Sequence, residues 1–182
     1  MINKSLLGNL SLIYLNTKKN IYQIYQNSSF YNKKISKVFN NNFEYKPSPH
    51  LFSSIVKYQK KKYRIEDFAL ESIWQNDIKI KDYEKLNNFF WFFSLDLKSS
   101  KKTVQSLIMN WINNNNRYNN KSWNFDLTSK RVISWLSNHQ LTYEDSDKEY
   151  RIKFDHCIQK QVNHLLSEIK NSNDFKNKMV GC

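Results

Sequence analysis

The sequence predicts an all-α protein, and three observations lead to that prediction. Glycine and proline each occur only twice in 182 residues, whereas a sandwich or barrel of many short strands needs far more turn residues. Apolar side chains recur at helical spacing, most clearly from residue 82 to residue 170. Hydrophobic residues make up 40% and aromatic residues 15% of the chain, which is enough to form a packed core.

Residues 1–50 are predicted to form an N-terminal helix and a connector, and residues 51–182 the main helical domain. The helical rhythm of the first stretch, residues 5–27, is kept by Leu6, Leu10, Ile13, Ile21 and Ile24. We interpret this stretch as an amphipathic leader that packs on the domain, with a helix on a membrane surface as the open alternative. Pro47 and Pro49 exclude a helix at the end of the polar stretch 28–50 and indicate an extended connector.

The next stretch combines a charge run with the start of a helical region. The lysine-rich run at residues 59–66 is typical of a solvated loop or an edge strand, and a nucleic-acid patch is the less favoured alternative. Asp82 is then the predicted N-cap of a wide aromatic helix. The apolar positions of that helix are Leu86, Phe89, Phe90, Phe93 and Leu97.

Three further helices are predicted between residue 99 and residue 170. Ser99 or Ser100 begins the first, and the asparagine run 113–116 ends it. Asp126 is the predicted N-cap of the second, and the third spans about residues 148–170. Because the connections are short, neighbouring helices are expected to pack antiparallel, with Trp111 and Trp135 buried.

The net charge of +13 is typical of a protein with a polyanionic partner, such as nucleic acid, anionic lipid or an acidic polysaccharide. However, only four of the 29 basic residues are arginine, the residue that nucleic-acid readers favour for bidentate contacts. Lysine, asparagine, isoleucine and tyrosine are abundant and have codons rich in A and T. Nucleotide composition is therefore our main interpretation of the charge, and a nucleic-acid partner is not favoured.

No metal and no cofactor are predicted, because the residues for such chemistry are few and scattered. Cys157 and Cys182 make neither a disulfide framework nor a metal motif. His156 and His164 are eight residues apart, too far for shared coordination on one helix, and we interpret them as a solvated pair. The sequence predicts no membrane span and contains no clear signal peptide.

Several motifs follow one another in a fixed order along the chain. They are the aromatic segment 86–97 ending in Asp-Leu, the pair Trp111-Ile112, the loop residue Trp123, the Arg-x-x-x-Trp-Leu helix at Arg131, Trp135 and Leu136, and Gln161 with His164-Leu165. This ordered series resembles the N-terminal region of bacterial heparinase II/III-like proteins. The Lys-Pro-Ser-Pro segment at residues 46–49 and residues 68–74 are similar to the leader region of the family. The resemblance covers most of the chain.

The resemblance implies a partial (α/α) toroid of antiparallel helix pairs with an irregular N-terminal leader, followed in the family by an antiparallel β-sandwich. Similar proteins are polysaccharide lyases that cleave uronate-containing chains by β-elimination. A base removes the C5 proton, and neutralising the carboxylate stabilises the carbanion-like transition state. The catalytic residues of the family lie further along its chain, so none is predicted here. The helix predicted to begin at Asp174 has no room to end before Cys182, and we expect a truncated domain.

Candidate substrate-binding residues follow from the same resemblance. Arg131 is predicted to bind a carboxylate of an acidic polysaccharide, and Trp91, Trp123 and Trp135 are predicted to stack on its sugar rings. Aromatic residues at helical spacing are also typical of a core, and that alternative stays open.

Asn138-His139 looks like a catalytic pair but comes too early in the order of the family. We interpret His139 as a core or half-buried continuation of the Arg-x-x-x-Trp-Leu helix. A basic helical nucleic-acid-binding protein and a helical protein-interaction module stay open as alternative functions. The resemblance implies a bacterial protein. The sequence leaves open whether its compartment is the cytoplasm or the periplasm, and it leaves the oligomeric state open.

Overall fold

The computed structural model describes residues 4–37 and 80–171, and this part of the chain is mostly helical and contains no strand. The all-α prediction is therefore confirmed for these residues. The run 59–66, the two prolines and the helix predicted at Asp174 lie outside them. The elements in chain order are α1 (Lys4–Gln26), α2 (Ser29–Ile35), α3 (Ile80–Asn87), a 3₁₀ helix (Phe90–Ser94), α4 (Lys101–Asn115), α5 (Phe125–Ser137), α6 (His139–Thr142) and α7 (Lys148–Asn171).

Several helix ends lie where local side-chain chemistry predicts them. The hydroxyl of Ser100 accepts a hydrogen bond from the backbone N–H of Thr103 at 3.2 Å and begins α4. Helix α4 ends at Asn115, inside the asparagine run, and α7 occupies the stretch predicted for the last helix. The carboxylate of Asp147 accepts from the N–H of Tyr150 at 2.8 Å and satisfies a donor in the first turn of α7.

Two predicted N-caps are wrong. Asp82 lies inside α3 rather than before it. Asn124, not Asp126, caps α5: its side-chain oxygen accepts from the N–H of Leu127 at 2.9 Å. Asp126 lies in the first turn, where a carboxylate still interacts favourably with the helix dipole.

The aromatic segment is not the continuous helix that its spacing predicts. Helix α3 ends at Asn87, and Phe89 adopts a left-handed backbone with φ 55° before the 3₁₀ helix begins. This conformation costs a residue with a Cβ about 1 kcal/mol. Burial of the Phe89 ring offsets that cost, and Ser134 Oγ donates to the Phe89 carbonyl at 2.5 Å.

Helix α2 lies in the stretch that was predicted to be a connector. Ser28 caps it by accepting from the N–H of Tyr31 at 3.2 Å, and Tyr31 and Ile35 are both buried. Seven residues are too few for a periodic apolar pattern, so the sequence gives only the cap as a signal. The two buried side chains belong to the same hydrophobic cluster as α4 and α7.

The core lies between α4, α5 and α7, with α6 and the 3₁₀ helix packed against its sides. Trp111 and Trp135 are fully buried, as predicted. Their rings meet edge to face at 5.5 Å, and Phe89 contacts Trp135 in the same way at 5.2 Å. Each such aromatic pair contributes about 1 kcal/mol beyond the burial of its area.

Helix α7 buries a narrower face than its apolar residues predict. Phe154 and Ile158 are enclosed, whereas Ile152 and Leu166, which are also apolar, are exposed. The buried face instead includes polar residues, among them Gln161 and His164. These two residues take part in the polar clusters described below.

Candidate functional site

Arg131 occupies the centre of the buried polar structure. It lies in the middle of α5 and is 0% exposed. Its Nε donates to Gln161 Oε1 at 2.7 Å, and its Nη1 donates to the carbonyls of Asn87 and Ser122, both at 2.9 Å. Its Nη2 contacts the hydroxyl of Thr128 at 3.3 Å. The guanidinium thus connects α3, α5, α7 and the loop before α5.

The charge of Arg131 is stabilised by neutral groups. The guanidinium lies 4.0 Å from the centre of the Trp111 ring, a cation–π contact in a site without water access. The indole N–H of Trp111 donates to the Asn87 side chain at 2.8 Å, so Asn87 supports both partners. Burial lowers the pKa of Arg131 to about 9, and the side chain therefore remains protonated at neutral pH. Arg131 together with Trp111, Asn87, Ser122 and Gln161 is called the Arg131 cluster below.

His164 forms a second buried polar cluster. Its Nε2 lies 2.7 Å from the carbonyl oxygen of Trp123, and its Nδ1 lies 2.7 Å from the hydroxyl of Tyr31. A carbonyl oxygen only accepts, so Nε2 carries a proton. In the neutral imidazole Nδ1 then accepts from the hydroxyl of Tyr31. His164 with Tyr31 and Trp123 is called the His164 cluster.

The interpretation of His164 as solvated is wrong. The side chain is 1% exposed, whereas His156 is exposed as expected. Burial lowers the pKa of His164 to about 4, and the nearby charge of Arg131 acts in the same direction. The hydrogen bond to Trp123 opposes this shift, but burial is the larger effect. Burial also raises the pKa of the Tyr31 hydroxyl, which stays protonated and donates.

The two clusters are held by the same two segments. Ser122 and Trp123 are consecutive residues, and their carbonyls accept from Arg131 and His164, respectively. Gln161 and His164 lie one turn apart on α7. The loop before α5 and the middle of α7 therefore fix both groups at once, and α2 joins them through Tyr31.

The candidate sugar-binding residues do not share one surface in this structure. Arg131, Trp123 and Trp135 are each 0% exposed, and Trp91 is half-buried. The indole N–H of Trp123 donates to the carbonyl of Asn115 at 2.9 Å. Trp91 stacks beside Phe89 with the ring centres 6.1 Å apart. An enclosed ring offers no face to a sugar in this arrangement, so a binding role for these residues stays a prediction and requires local opening.

His139 does not continue the stripe of α5. Helix α5 ends at Ser137, and His139 is the first residue of the short helix α6. The break occurs at Asn138, whose side-chain amide donates to the carbonyl of Ser134 at 2.8 Å. The His139 ring is half-buried, with Nε2 3.3 Å from the carboxylate of Glu144. Asn138 and His139 therefore belong to a helix junction.

Sequence reasoning missed two residues that complete the polar clusters. Asn87 was not singled out, although it accepts from both Arg131 and Trp111. Tyr31 was placed in a connector. His164 had a usable signal: it lies three residues after Gln161 and ten after Phe154, on the face that α7 buries.

A basic cleft lies between α2 and α7. Its volume is about 210 Å³, and its lining residues are Lys34, Ile35, Asn163, Leu166, Ser167, Lys170 and Asn171. Lysine provides the charged groups of this lining, and acidic residues are missing from it. A second cleft, between α4 and α7, holds lysines together with Asp147 and Glu149. The basic cleft is therefore the better match to an anionic ligand among the described residues.

Comparison with family models, curated proteins and solved structures returned no match. Within residues 4–37 and 80–171, no group of three histidine, cysteine, aspartate or glutamate side chains is placed to hold a metal ion. The same residues contain no helix with the length and apolar character needed to cross a membrane.

Proposed function

We propose that this chain is an N-terminal helical portion of a heparinase II/III-like polysaccharide lyase, and that its main domain is part of an (α/α) toroid. In this proposal the chain binds an acidic, uronate-containing polysaccharide. The residues that perform β-elimination lie in other parts of such an enzyme. The lyase activity in this proposal is inferred from the resemblance alone. The residues of this chain contribute a folded helical scaffold and positive charge.

One observation carries the proposal: the scattered motifs of the resemblance come together in one core. Arg131, Trp111 and Gln161 form one cluster, although they lie on three different helices. Trp123 and His164 form the adjacent cluster. Residues that define a helical family by their order along the chain are expected to be those that fix its packing. The contacts among these buried positions support the proposal that the chain shares its helical architecture with the family. They give less support to a shared active site.

The basic cleft is the proposed contact for the polysaccharide. Lys34 and Lys170 line it from two helices, and Asn163 and Ser167 add polar groups at its wall. A uronate carboxylate pairs with an ammonium group, and neighbouring hydroxyls suit amide and hydroxyl partners. Glu168, the nearest acidic residue along α7, is directed to Gln26 instead, which accounts for its absence from the lining.

Binding to immobilised alginate or heparin tests this proposal. The double variant Lys34→Gln with Lys170→Gln should weaken retention about tenfold or more, because each lysine near a polyanion contributes on the order of 1 kcal/mol. Lys102→Gln with Lys153→Gln removes the same charge from the other cleft and should retain most of the binding. Equal losses in both variants would indicate only a general charge effect. Preferential displacement by duplex DNA would favour the nucleic-acid alternative.

An activity assay tests the assignment of catalysis to other parts of the enzyme. The purified chain should produce no rise in ultraviolet absorbance from unsaturated sugars on heparin, heparan sulfate or alginate. The reaction needs a base, an acid and carboxylate neutralisation together, and loss of one such group commonly costs orders of magnitude in rate. A clear absorbance rise that disappears in His139→Ala would place an active site at the α5–α6 junction and contradict the proposal.

A further inference from the structure

Helix α1 exposes apolar residues on the side turned away from the rest of the described protein. Ile13 and Ile21 are each 62% exposed, and Ile24 is 72% exposed. At 3.6 residues per turn these three positions fall within about 80° of one another. We call them the outer stripe. Tyr14, at its edge, is also exposed.

The contacts of the C-terminal end of α1 fix the direction of the outer stripe. Gln26 is buried, accepts from the hydroxyl of Tyr118 at 3.0 Å and donates to Glu168. Helical geometry places Gln26 on the side of α1 opposite the outer stripe. Every side chain from Ser11 to Ile21 is exposed, so within residues 11–26 the body of the protein covers only the last turns of α1.

The charge of the same region is one-sided. Residues 4–37 contain six lysines and no acidic residue. Three of these, Lys4, Lys18 and Lys19, lie on α1 itself, and Lys33 and Lys34 lie in the last turn of α2. A second copy of the chain would bring the same positive charge against this surface. The complementary partner is therefore anionic as well as able to accept an apolar stripe.

We propose that α1 binds the surface of an anionic lipid bilayer and lies in its plane. The outer stripe enters the boundary between headgroups and acyl chains, and the lysines of α1 and α2 attract the anionic lipid phosphates. Tyr14 has the amphipathic ring that suits this depth. Thr17 lies within the outer stripe, Asn20 lies at its edge and Lys19 lies on the opposite side of the helix, so α1 rests on the bilayer rather than crossing it. This proposal is independent of the polysaccharide proposal.

Vesicle co-sedimentation of the full chain tests the proposal. The chain should sediment with vesicles of mixed phosphatidylcholine and phosphatidylglycerol and much less with phosphatidylcholine alone. Ile21→Asn with Ile24→Asn should weaken partitioning about tenfold or more. Leu12→Asn with Leu15→Asn is the matched control, because these leucines are also exposed but lie outside the outer stripe. This control should partition like the unmodified chain.

Variants that remove lysines provide the second part of the vesicle-binding test. Lys18→Gln with Lys19→Gln should weaken binding to the mixed vesicles about fivefold for each lysine. Lys102→Gln with Lys121→Gln removes equal charge from the body and should have a much smaller effect. Circular dichroism checks that each variant keeps its helical content.

Three results would overturn the proposal. The first is no binding of the unmodified chain to the mixed vesicles. The second is equal loss of binding in the outer-stripe variant and its leucine control. The third is concentration-dependent self-association without lipid that Ile21→Asn with Ile24→Asn abolishes while vesicle binding is absent, which would identify a second copy as the partner. Unchanged polysaccharide retention in the outer-stripe variant would separate this test from that of the proposed function.

Discussion

The outer part of α1 and the middle of α5 differ in what they bury. From Ser11 to Ile21, α1 exposes isoleucine, leucine and tyrosine side chains. On helix α5, by contrast, the side chains of Arg131, Thr128 and Ser134 are completely buried. Both helices carry amphipathic sequences, so apolar character alone does not decide which side chains leave water. The neighbouring elements decide which side chains are buried. Helix α5 is surrounded by α3, α7 and the 3₁₀ helix, whereas within residues 11–26 α1 meets the body at its last turns.

Charge separates the same two regions. Residues 4–37 carry six lysines without an acidic residue, whereas residues 80–171 carry fourteen basic and ten acidic residues. The second region contains ion pairs such as Lys101 with Asp145 at 2.6 Å. If the excess of positive charge reflected nucleotide composition alone, it would be expected in both regions. The N-terminal helices are therefore the part of the described chain where the positive charge has the strongest case for a role.

The largest expected effect is in the Arg131 cluster. Arg131→Ala should lower the free energy of unfolding by about 3–5 kcal/mol, because it opens a cavity and leaves Gln161 and the Asn87 and Ser122 carbonyls without their donor. Arg131→Lys should recover little, since one ammonium group cannot reproduce the planar set of donors. Urea denaturation measures both changes.

Lys130→Ala is the matched control for this prediction. Lys130 is the neighbouring residue on α5, and its side chain forms an exposed pair with Asp126 at 2.7 Å. Its loss should change the free energy of unfolding by less than about 0.5 kcal/mol. If Arg131→Ala were equally mild, the Arg131 cluster would not be what holds α3, α5 and α7 together.

The second effect is a dependence of stability on pH through His164. The pKa of this group is 6.5 in its unperturbed state and about 4 in the folded protein. The folded state therefore binds the proton less readily than the unfolded chain. The free energy of unfolding therefore keeps its full contribution from neutral His164 above pH 6.5. It decreases progressively as the pH falls towards 4, by about 3 kcal/mol in total, because the unfolded chain takes up the proton first.

His164→Asn isolates that effect. The variant should be less stable at neutral pH but should show a flatter dependence between pH 6.5 and 4. Burial raises the pKa of Glu168, which works in the opposite direction because its folded form takes up a proton more readily. The comparison of the two proteins removes this common contribution. His156→Asn, at an exposed position, should keep the slope of the unmodified chain. An unchanged slope in His164→Asn would contradict the neutral, buried imidazole.

A smaller effect distinguishes the two candidate caps of α5. Asn124→Ala should cost about 1 kcal/mol, because the N–H of Leu127 loses its acceptor. Asp126→Ala should cost less than about 0.5 kcal/mol, since it removes only an exposed ion pair and a favourable interaction with the helix dipole. Thermal or urea unfolding ranks the two variants. The reverse order would restore Asp126 as the cap.

The smallest expected effect is in the outer stripe. Ile24→Ser should change the free energy of unfolding by less than about 0.5 kcal/mol, because the side chain is already 72% exposed. Ile158→Ser, on the buried face of α7, provides the contrast and should cost several times more. A large loss from Ile24→Ser would mean that the N-terminal helix is packed more tightly than the described contacts indicate.

Local chemistry allowed the sequence to predict much of the fold. The cap at Ser100 and the end of α4 in the asparagine run depend on groups within a few residues of one another. The burial of Trp111 and Trp135 follows from their place in apolar helical patterns. The prediction of Asp126 as the N-cap of α5 is wrong, because Asn124 can also cap a helix and only the path of the preceding loop selects it.

The sequence by itself determined the helical class, the approximate span of α1, α4, α5 and α7, and the aromatic core, because these follow from spacing along one chain segment. Tertiary structure decided the break at Phe89, whose carbonyl meets Ser134 from α5. It also decided the burial of Arg131 and His164, whose partners Asn87 and Tyr31 are distant in sequence. Burying a charged group or a ring nitrogen is costly unless partners satisfy its hydrogen bonds. No pattern on one helix reveals the donors and acceptors that other segments bring. Arg131, which was predicted to bind a ligand, and His164, which was predicted to be solvated, are therefore both part of the core.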